Sequence, residues 1–121
     1  MLSLSETTRY YIYLNNTDMR KGFDSLSGIV SSQMQLDPLS SNVYIFINRR
    51  RTQIKLLHWN GDGFALYYKR LEQGTFELPK VQENECYVNV SMKHLQQVFQ
   101  GVSVGQNRQR KRYQHLTRSC G

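Results

Sequence analysis

The sequence has few of the residues that cross-link or interrupt a small fold. It contains two cysteines, Cys86 and Cys120, and two prolines among 121 residues. The spacing of the cysteines matches neither a zinc site nor a disulfide framework. Free thiols in a reducing compartment are the simplest interpretation, so we expect a cytoplasmic protein.

Long apolar runs are also missing. No stretch approaches the roughly 20 apolar residues of a membrane-spanning helix. Residues 1–6 lack the basic start and the apolar run that a secretion signal requires. We therefore expect no leader peptide and no membrane partner.

Clustered acids are the third absence. A metal-dependent nuclease needs several carboxylates around divalent ions, but the nine acids are scattered. Asp18 and Asp24 lie six residues apart on a predicted helix and do not share a face, while Asp62 lies in a predicted turn, where Asp is common. The lone His58 on a predicted strand favours a hydrogen-bonded residue over a catalytic base. We expect no enzyme activity, no metal or other cofactor, and no small-molecule substrate.

The abundant residues favour one packed, strand-rich domain. Eight tyrosines and five phenylalanines suit a pleated, half-buried surface. Residues 9–14 predict a strand, and a helix is predicted to start at Thr17 or Asp18 and to end before Pro38. The helix carries one apolar stripe at helical spacing: Met19, Phe23, Leu26, Ile29, Val30 and Met34.

Three longer strands are predicted at residues 43–48, 53–59 and 64–70. Their two connections have hairpin length, which predicts an antiparallel meander. Closing each loop symmetrically places residue 48 opposite 53 and residue 59 opposite 64. Short strands at 75–78 and 87–90 and a second helix, capped by Ser91, complete the prediction.

The predicted fold class is therefore α+β: an antiparallel β-meander of three long strands plus short strands, with two helices packed on the sheet. We expect residues 1–104 to form a single domain and residues 105–121 a basic, disordered tail.

The predicted register divides the side chains between two faces. The aliphatic face, which includes Val43, Ile45 and Leu56, is the expected seat of the first helix. The other face is aromatic. It could stack the bases of single-stranded nucleic acid, or form a second core layer under the second helix; an exposed patch of this size would be a liability, which favours the core. The aromatic-face residues are Tyr44, Phe46, Trp59, Phe64 and Tyr68.

The same register gathers cations at one end of the sheet. Clustered arginines are well suited to hold nucleic-acid phosphates. The alternative is that these residues are solvated hairpin side chains that blunt a sheet edge. The predicted nucleic-acid-binding residues are Arg49, Arg50, Arg51, Lys55, Lys69 and Arg70.

The tail holds most of the net charge of +7. Residues 106–121 contain five cations and no acid, whereas the rest of the chain has eleven cations against nine acids. The tail is either an electrostatic arm for a polyanion or a solubilising extension. The predicted electrostatic residues are Arg108, Arg110, Lys111 and Arg112.

Two long segments carry a family resemblance. The segment Thr17–Leu26 and the segment from Phe46 to Trp59, which includes Asn48-Arg49-Arg50-Arg51, resemble the TnpB accessory proteins of the IS-sixty-six family of bacterial insertion sequences. The similarity covers roughly residues 4–104, and the segment near Pro79 and the tail from Gly105 depart from it. The resemblance implies a non-catalytic protein that assists an element whose transposase is a separate polypeptide, and it supplies no active site.

Two hypotheses of function follow. The leading one is an accessory protein of transposition that binds DNA at the element ends through the basic end of the sheet. The second is an adaptor that binds the transposase through the aromatic face or the first helix, with Arg20 and Lys21 at the rim. A hydrolase, the third hypothesis, would have to turn over substrate, usually with added metal.

Overall fold

A mixed six-stranded sheet with one helix on each face makes up the fold. The computed structural model describes residues 7–78, 84–100 and 116–119, and the side chains of 7–78 and 84–96. The sheet order is β4-β3-β2-β1-β5-β6. The elements are β1 (Tyr10–Tyr13), α1 (Phe23–Ser32), β2 (Val43–Ile47), β3 (Gln53–Trp59), β4 (Phe64–Arg70), β5 (Glu85–Val90), α2 (Met92–Gln100) and β6 (Leu116–Ser119).

The purely antiparallel sheet predicted from the sequence is wrong, although the fold is α+β. β1 pairs with β2 in parallel, with Tyr10 opposite Val43 and Ile12 opposite Ile45. On its other side β1 pairs antiparallel with β5. Parallel neighbours need a long crossover, which α1 and its flanking loops provide here. β1 therefore lies inside the sheet, and all four of its residues are buried.

The predicted register of the central meander is confirmed. Ile47 lies opposite Ile54, and the Asn48 N–H donates to the Gln53 carbonyl at 3.1 Å. Trp59 lies opposite Phe64 across the second hairpin. Each hairpin is closed by two residues that lie five positions apart in the sequence, so the loop length sets the register.

The helices pack on the opposite faces from those predicted. Leu26 and Val30 of α1 are fully buried against the aromatic face, with Tyr44 and Phe46. On the aliphatic face, Leu95 of α2 packs with β-strand residues and with Phe76. Tyr44 and Phe46 of the aromatic face thus form a core layer, as predicted, but beneath the first helix, whereas Tyr68 of the same face is exposed.

The first helix begins later than predicted. Its N-cap is Gly22 and not Thr17 or Asp18. The Thr17 N–H donates to the Ile47 carbonyl at 3.0 Å, and Asp18 Oδ1 accepts the Arg20 N–H at 2.9 Å. Because these backbone groups are engaged outside a helix, the segment before Gly22 is a loop. The second helix agrees better: Ser91 Oγ accepts the His94 N–H at 3.2 Å, as predicted for its cap.

Cys86 is disulfide-bonded, so the predicted free thiol at this position is wrong. Cys120 lies outside the described residues. The loss of a free thiol removes the argument for a reducing compartment, and the cytoplasmic location stays a prediction. No helix among the described residues is long and apolar enough to cross a membrane.

Part of the predicted tail belongs to the sheet. Leu116–Ser119 form β6, which pairs antiparallel with β5. The four predicted tail cations, at positions 108 and 110–112, lie outside the described residues. The division into a domain and a basic tail stays a prediction for those positions.

Candidate nucleic-acid interface

The β2–β3 turn is held rigidly by one asparagine. Asn48 Oδ1 accepts the backbone N–H groups of Thr52 at 2.9 Å and Gln53 at 3.0 Å. Its Nδ2 donates to Thr52 Oγ1 at 3.2 Å. Arg51 closes the turn with a φ of 60°, and its N–H donates to the Asn48 carbonyl at 3.0 Å. The turn therefore presents Arg49 and Arg50, both exposed, from a fixed backbone.

The loop after β1 lies beside this turn because β1 and β2 are parallel neighbours. Their carboxyl ends reach the same edge of the sheet. Thr17 is buried there, with its N–H bonded to Ile47 at the end of β2. Asp18, Arg20 and Lys21 are exposed. Arg20 forms a two-pronged ion pair with Asp18, with Nη2 2.7 Å from Oδ2.

The loop and the turn together line a cleft of about 540 Å³. Three arginines contribute to its walls, Arg20 from the loop and Arg49 and Arg50 from the turn. Tyr68, with 52% of its surface exposed, also lines the cleft. Asp18 is the one acidic residue among the described residues that line the cleft. The cleft is consequently basic, with an exposed aromatic ring at its margin, and we call it the basic cleft.

Hydrogen bonds from Arg20 stabilise the ionised form of Asp18. The side-chain bond from Arg20 and then its backbone N–H lower the pKa of this carboxyl from 3.8 to about 2. The pKa of Arg20 is raised in turn by the bond to Asp18. Both groups stay ionised at neutral pH, so the charge of Asp18 offsets that of Arg20, whereas Arg49 and Arg50 have no ion-pair partner among the described residues.

The six predicted contact residues divide into groups. Arg49, Arg50 and Arg51 are exposed and have no ion-pair partner among the described residues. Arg70 is exposed but is paired with Glu72 at 3.1 Å. Lys69, half-buried, lies opposite Ile54 and so belongs to the other face of the sheet.

Lys55 has a structural role. It is 8% exposed, its Nζ donates to the Lys21 carbonyl at 2.8 Å, and the same atom lies 5.1 Å from the centre of the Tyr68 ring. A buried ammonium with these partners ties the start of α1 to the sheet. Lys55 therefore differs from the exposed turn arginines, because its Nζ is engaged within the chain.

Sequence reasoning missed Arg20 and Tyr68 as parts of one site. The sequence predicts Arg20 at the rim of a transposase-binding surface on the first helix, since the segment before Gly22 is predicted to be helical. The pair Asp18 and Arg20, two residues apart, was a usable signal, because Asp commonly accepts the backbone N–H two residues on in a turn. Tyr68 was predicted to be core but lies on an edge strand. His58, by contrast, is a buried residue with Nδ1 3.3 Å from the Asn42 carbonyl, as predicted.

These features define a small α+β protein with a basic cleft at one end of a mixed sheet, and comparison with known proteins places it in a family. The chain belongs to the IS66 Orf2-like proteins, whose family model matches residues 8–109. The resemblance predicted from the two segments is thereby confirmed, and both segments line the basic cleft. Membership identifies an accessory protein of an insertion sequence.

Two relatives come from Sinorhizobium fredii. The uncharacterized protein y4hO is 29% identical over 115 residues, which cover 87% of this chain and 100% of that protein. The uncharacterized protein y4jC is 27% identical over 89 residues, which cover 74% of this chain and 76% of that protein. No solved structure matches the chain significantly.

Proposed function

We propose that this protein is a non-catalytic accessory factor of transposition that binds the DNA of its element through the basic cleft. The observation that carries the proposal is the placement of Arg49 and Arg50 on a rigid turn, where they line the same cleft as Arg20. Guanidinium groups present paired donors that match the geometry of phosphate oxygens. A fixed turn also loses little conformational freedom when a phosphate binds.

The contact set differs from the six residues predicted from the sequence. Arg49 and Arg50 form its centre, and Arg20 joins them when a phosphate competes with Asp18 for its guanidinium. Arg51 follows them on the same turn, outside the cleft lining, and adds a further exposed charge. Lys55 is left out because its Nζ is held by the Lys21 carbonyl. Single-stranded DNA is included among the ligands, because contacts to phosphates do not require a duplex.

The proposed binding is electrostatic in character. Contacts from arginines to phosphates position a protein on DNA without reading its sequence. Each neutralised phosphate should contribute about 0.9 to the magnitude of the log–log salt slope on duplex DNA. Three to four contacts in the cleft would therefore contribute about 3 to the magnitude of the slope, which is steep enough to measure.

The second candidate function is an adaptor that binds the transposase of the same element. The observation that favours it is an exposed aromatic surface beside the cleft. Phe23 and Tyr68 are 45% and 52% exposed, and Phe23 stacks on Phe64 with 6.5 Å between the ring centres. Exposed aromatic residues are typical of protein interfaces. The adaptor needs no basic cleft, so the two functions separate by mutation.

The test is fluorescence anisotropy of labelled element-end DNA, duplex and single-stranded, across a salt series. The variant Arg49→Ala/Arg50→Ala removes two charges from the cleft. Its matched control, Arg9→Ala/Lys93→Ala, removes two exposed charges near the opposite end of the sheet, where Tyr10 pairs with Val90. We expect the cleft variant to reduce the slope by about 1.8, and the control to leave it unchanged.

Two results would overturn the proposal. Equal losses in the cleft variant and the control would mean that binding follows net charge alone. Absence of DNA binding by the wild-type protein at low salt would leave the adaptor, tested by co-purification with the transposase and by Phe23→Ser.

A further inference from the structure

The outermost strand β4 exposes both its backbone and its aromatic side chains. In the described part of the chain no further strand follows it in the sheet. None of its seven residues is buried. It contains no proline, and its pairing with β3 is continuous from Trp59–Phe64 to Gln53–Arg70, without a bulge. Proline residues, bulges and charged side chains normally protect an edge strand from pairing with another chain. The first five residues of β4 contain none of the three.

The hydrogen-bond pattern decides which backbone groups face outward. The Leu71 N–H donates to the Thr52 carbonyl at 2.8 Å, and the Asn60 N–H donates to the Gly63 carbonyl at 3.0 Å. In an antiparallel pair, residues alternate between bonding to the partner strand and pointing away from it. Counting from these two bonds, the N–H and C=O groups that point away from β3 belong to Phe64, Leu66, Tyr68 and Arg70.

We propose that the outer edge of β4 pairs antiparallel with β4 of a second copy of this chain, so that two sheets join into one. Outward-facing groups must meet outward-facing groups, which allows few registers. With Leu66 opposite its own copy, Phe64 lies opposite Tyr68 of the second copy. The adjacent turn residue Asp62 then comes close to Arg70 of the second copy, and the arrangement repeats on both sides of the two-fold axis.

Charge favours this register over the neighbouring register in which Leu66 faces Tyr68 of the second copy. Sliding the strands so that Leu66 faces Tyr68 brings Asp62 close to Glu72, which sets like charges against each other. The register centred on Leu66 sets Asp62 near Arg70, and both side chains are exposed. An exposed ion pair adds little affinity, so its effect is to fix the register. Affinity comes from the backbone bonds and from burial of aromatic surface.

The aromatic surface lies where the second copy would cover it. Phe23 of α1 stacks on Phe64 at the edge, and both belong to the face that carries Tyr68. In the proposed register, these rings meet Tyr68 of the second copy, once on each side of the axis. Cross-strand aromatic pairs stabilise antiparallel sheets. The second copy therefore covers the apolar surface that β4 exposes in the single chain.

Sedimentation velocity over a concentration series, without DNA, tests the pairing with Asp62→Arg and Arg70→Asp. Each variant alone sets like charges against each other twice per dimer, so we expect at least about tenfold weaker self-association. An equal mixture of the two restores both opposite-charge pairs in a mixed dimer, which should associate as strongly as the wild type. A misfolded variant could not produce this rescue.

Leu66→Pro gives a second, independent measurement. The Leu66 N–H points away from β3, so proline removes no bond within the chain but blocks the partner strand. We expect a monomer with an unchanged circular dichroism spectrum. The proposal is overturned if the wild type stays monomeric throughout, if the single charge variants dimerise like the wild type, or if the mixture fails to recover. Because no DNA is present, none of these outcomes bears on the basic cleft.

Discussion

Two residues of like charge in this protein, Arg49 and Lys55, have opposite surroundings. Arg49 is exposed on a turn and has no acidic partner among the described residues, whereas Lys55 is 8% exposed and bonded to the Lys21 carbonyl. The sequence places both at the same end of the sheet. The loop before α1 brings the Lys21 carbonyl to Lys55, so that this cation is engaged within the chain while Arg49 stays exposed.

We expect Lys55→Met to lower stability and to leave DNA binding nearly intact. The methionine keeps the apolar stem but leaves the Lys21 carbonyl without its charged donor, a loss of about 1–3 kcal/mol in the free energy of unfolding. Urea denaturation measures the loss, and anisotropy under native conditions measures binding. If Lys55→Met weakens DNA binding as much as Arg49→Ala does, the assignment of Lys55 as structural is wrong.

Asp18 should titrate near pH 2. The Arg20 hydrogen bonds lower its pKa from 3.8 to about 2, so whatever the pair contributes to the loop is present above pH 3.8 and is lost as the pH falls to about 2. A carbon-detected NMR titration of the Asp18 carboxyl measures this midpoint. In Arg20→Ala the midpoint should rise toward 3.8, while Arg9→Ala, which removes a distant charge, should leave it unchanged.

At the scale of elements, local patterns were predictable and distant ones were not. The register of the Asn48–Gln53 turn follows from loop length, because its two ends are only five positions apart in the sequence. The loop before Gly22 was mistaken for a helix because Met19 falls at helical spacing with Phe23 and Leu26. That spacing says nothing of the bond between Thr17 and Ile47, which holds the segment outside the helix.

The choice of helix for each face could not be made from side-chain pattern alone. Both faces of the central sheet are apolar, so either accepts an amphipathic helix. The parallel pairing of β1 with β2 decides the matter, because it fixes the path of the crossover that carries α1. The basic cleft has the same origin. Arg20 joins Arg49 there only because the carboxyl ends of two parallel strands coincide.

The β2–β3 turn allows a prediction with two opposite effects. Arg51 adopts a φ of 60°, a conformation that costs a side-chain-bearing residue about 1–2 kcal/mol and glycine almost nothing. We expect Arg51→Gly to raise the free energy of unfolding by about 0.5–1 kcal/mol and to lower the DNA salt slope by about 0.9. Thermal denaturation and anisotropy measure the two changes.

Arg51→Asn is the matched control for this prediction. It removes the same charge, and asparagine tolerates a positive φ better than arginine. The salt slope should fall as in Arg51→Gly, with a smaller gain in stability. A loss of stability in both variants would mean that the arginine side chain packs favourably on the turn and outweighs the backbone effect.

At the scale of the whole molecule, charge is divided between the sheet end and the C-terminal segment. Deleting the segment would remove β6, which pairs with β5, so substitution is the cleaner test. We expect Arg108→Gln/Arg110→Gln/Lys111→Gln/Arg112→Gln to lower the salt slope by up to about 3.6 if all four contact phosphates. Anisotropy with Arg49→Ala/Arg50→Ala added shows whether the two sites act independently. An unchanged slope would make the segment a solubilising extension.

The central position of β1 has a consequence for the protein as it leaves the ribosome. Tyr10 of β1 pairs with Val90 of β5. β1 is synthesised early and β5 late, so one edge of β1 has no partner strand until β5 has been synthesised. During that interval the β2–β3–β4 hairpins can form, because their contacts are close in sequence. The edge of β1 that pairs with β5 meanwhile remains unpaired, and such edges are prone to aggregate or to recruit chaperones. The arrangement that creates the basic cleft thus also makes completion of the sheet a late event in synthesis.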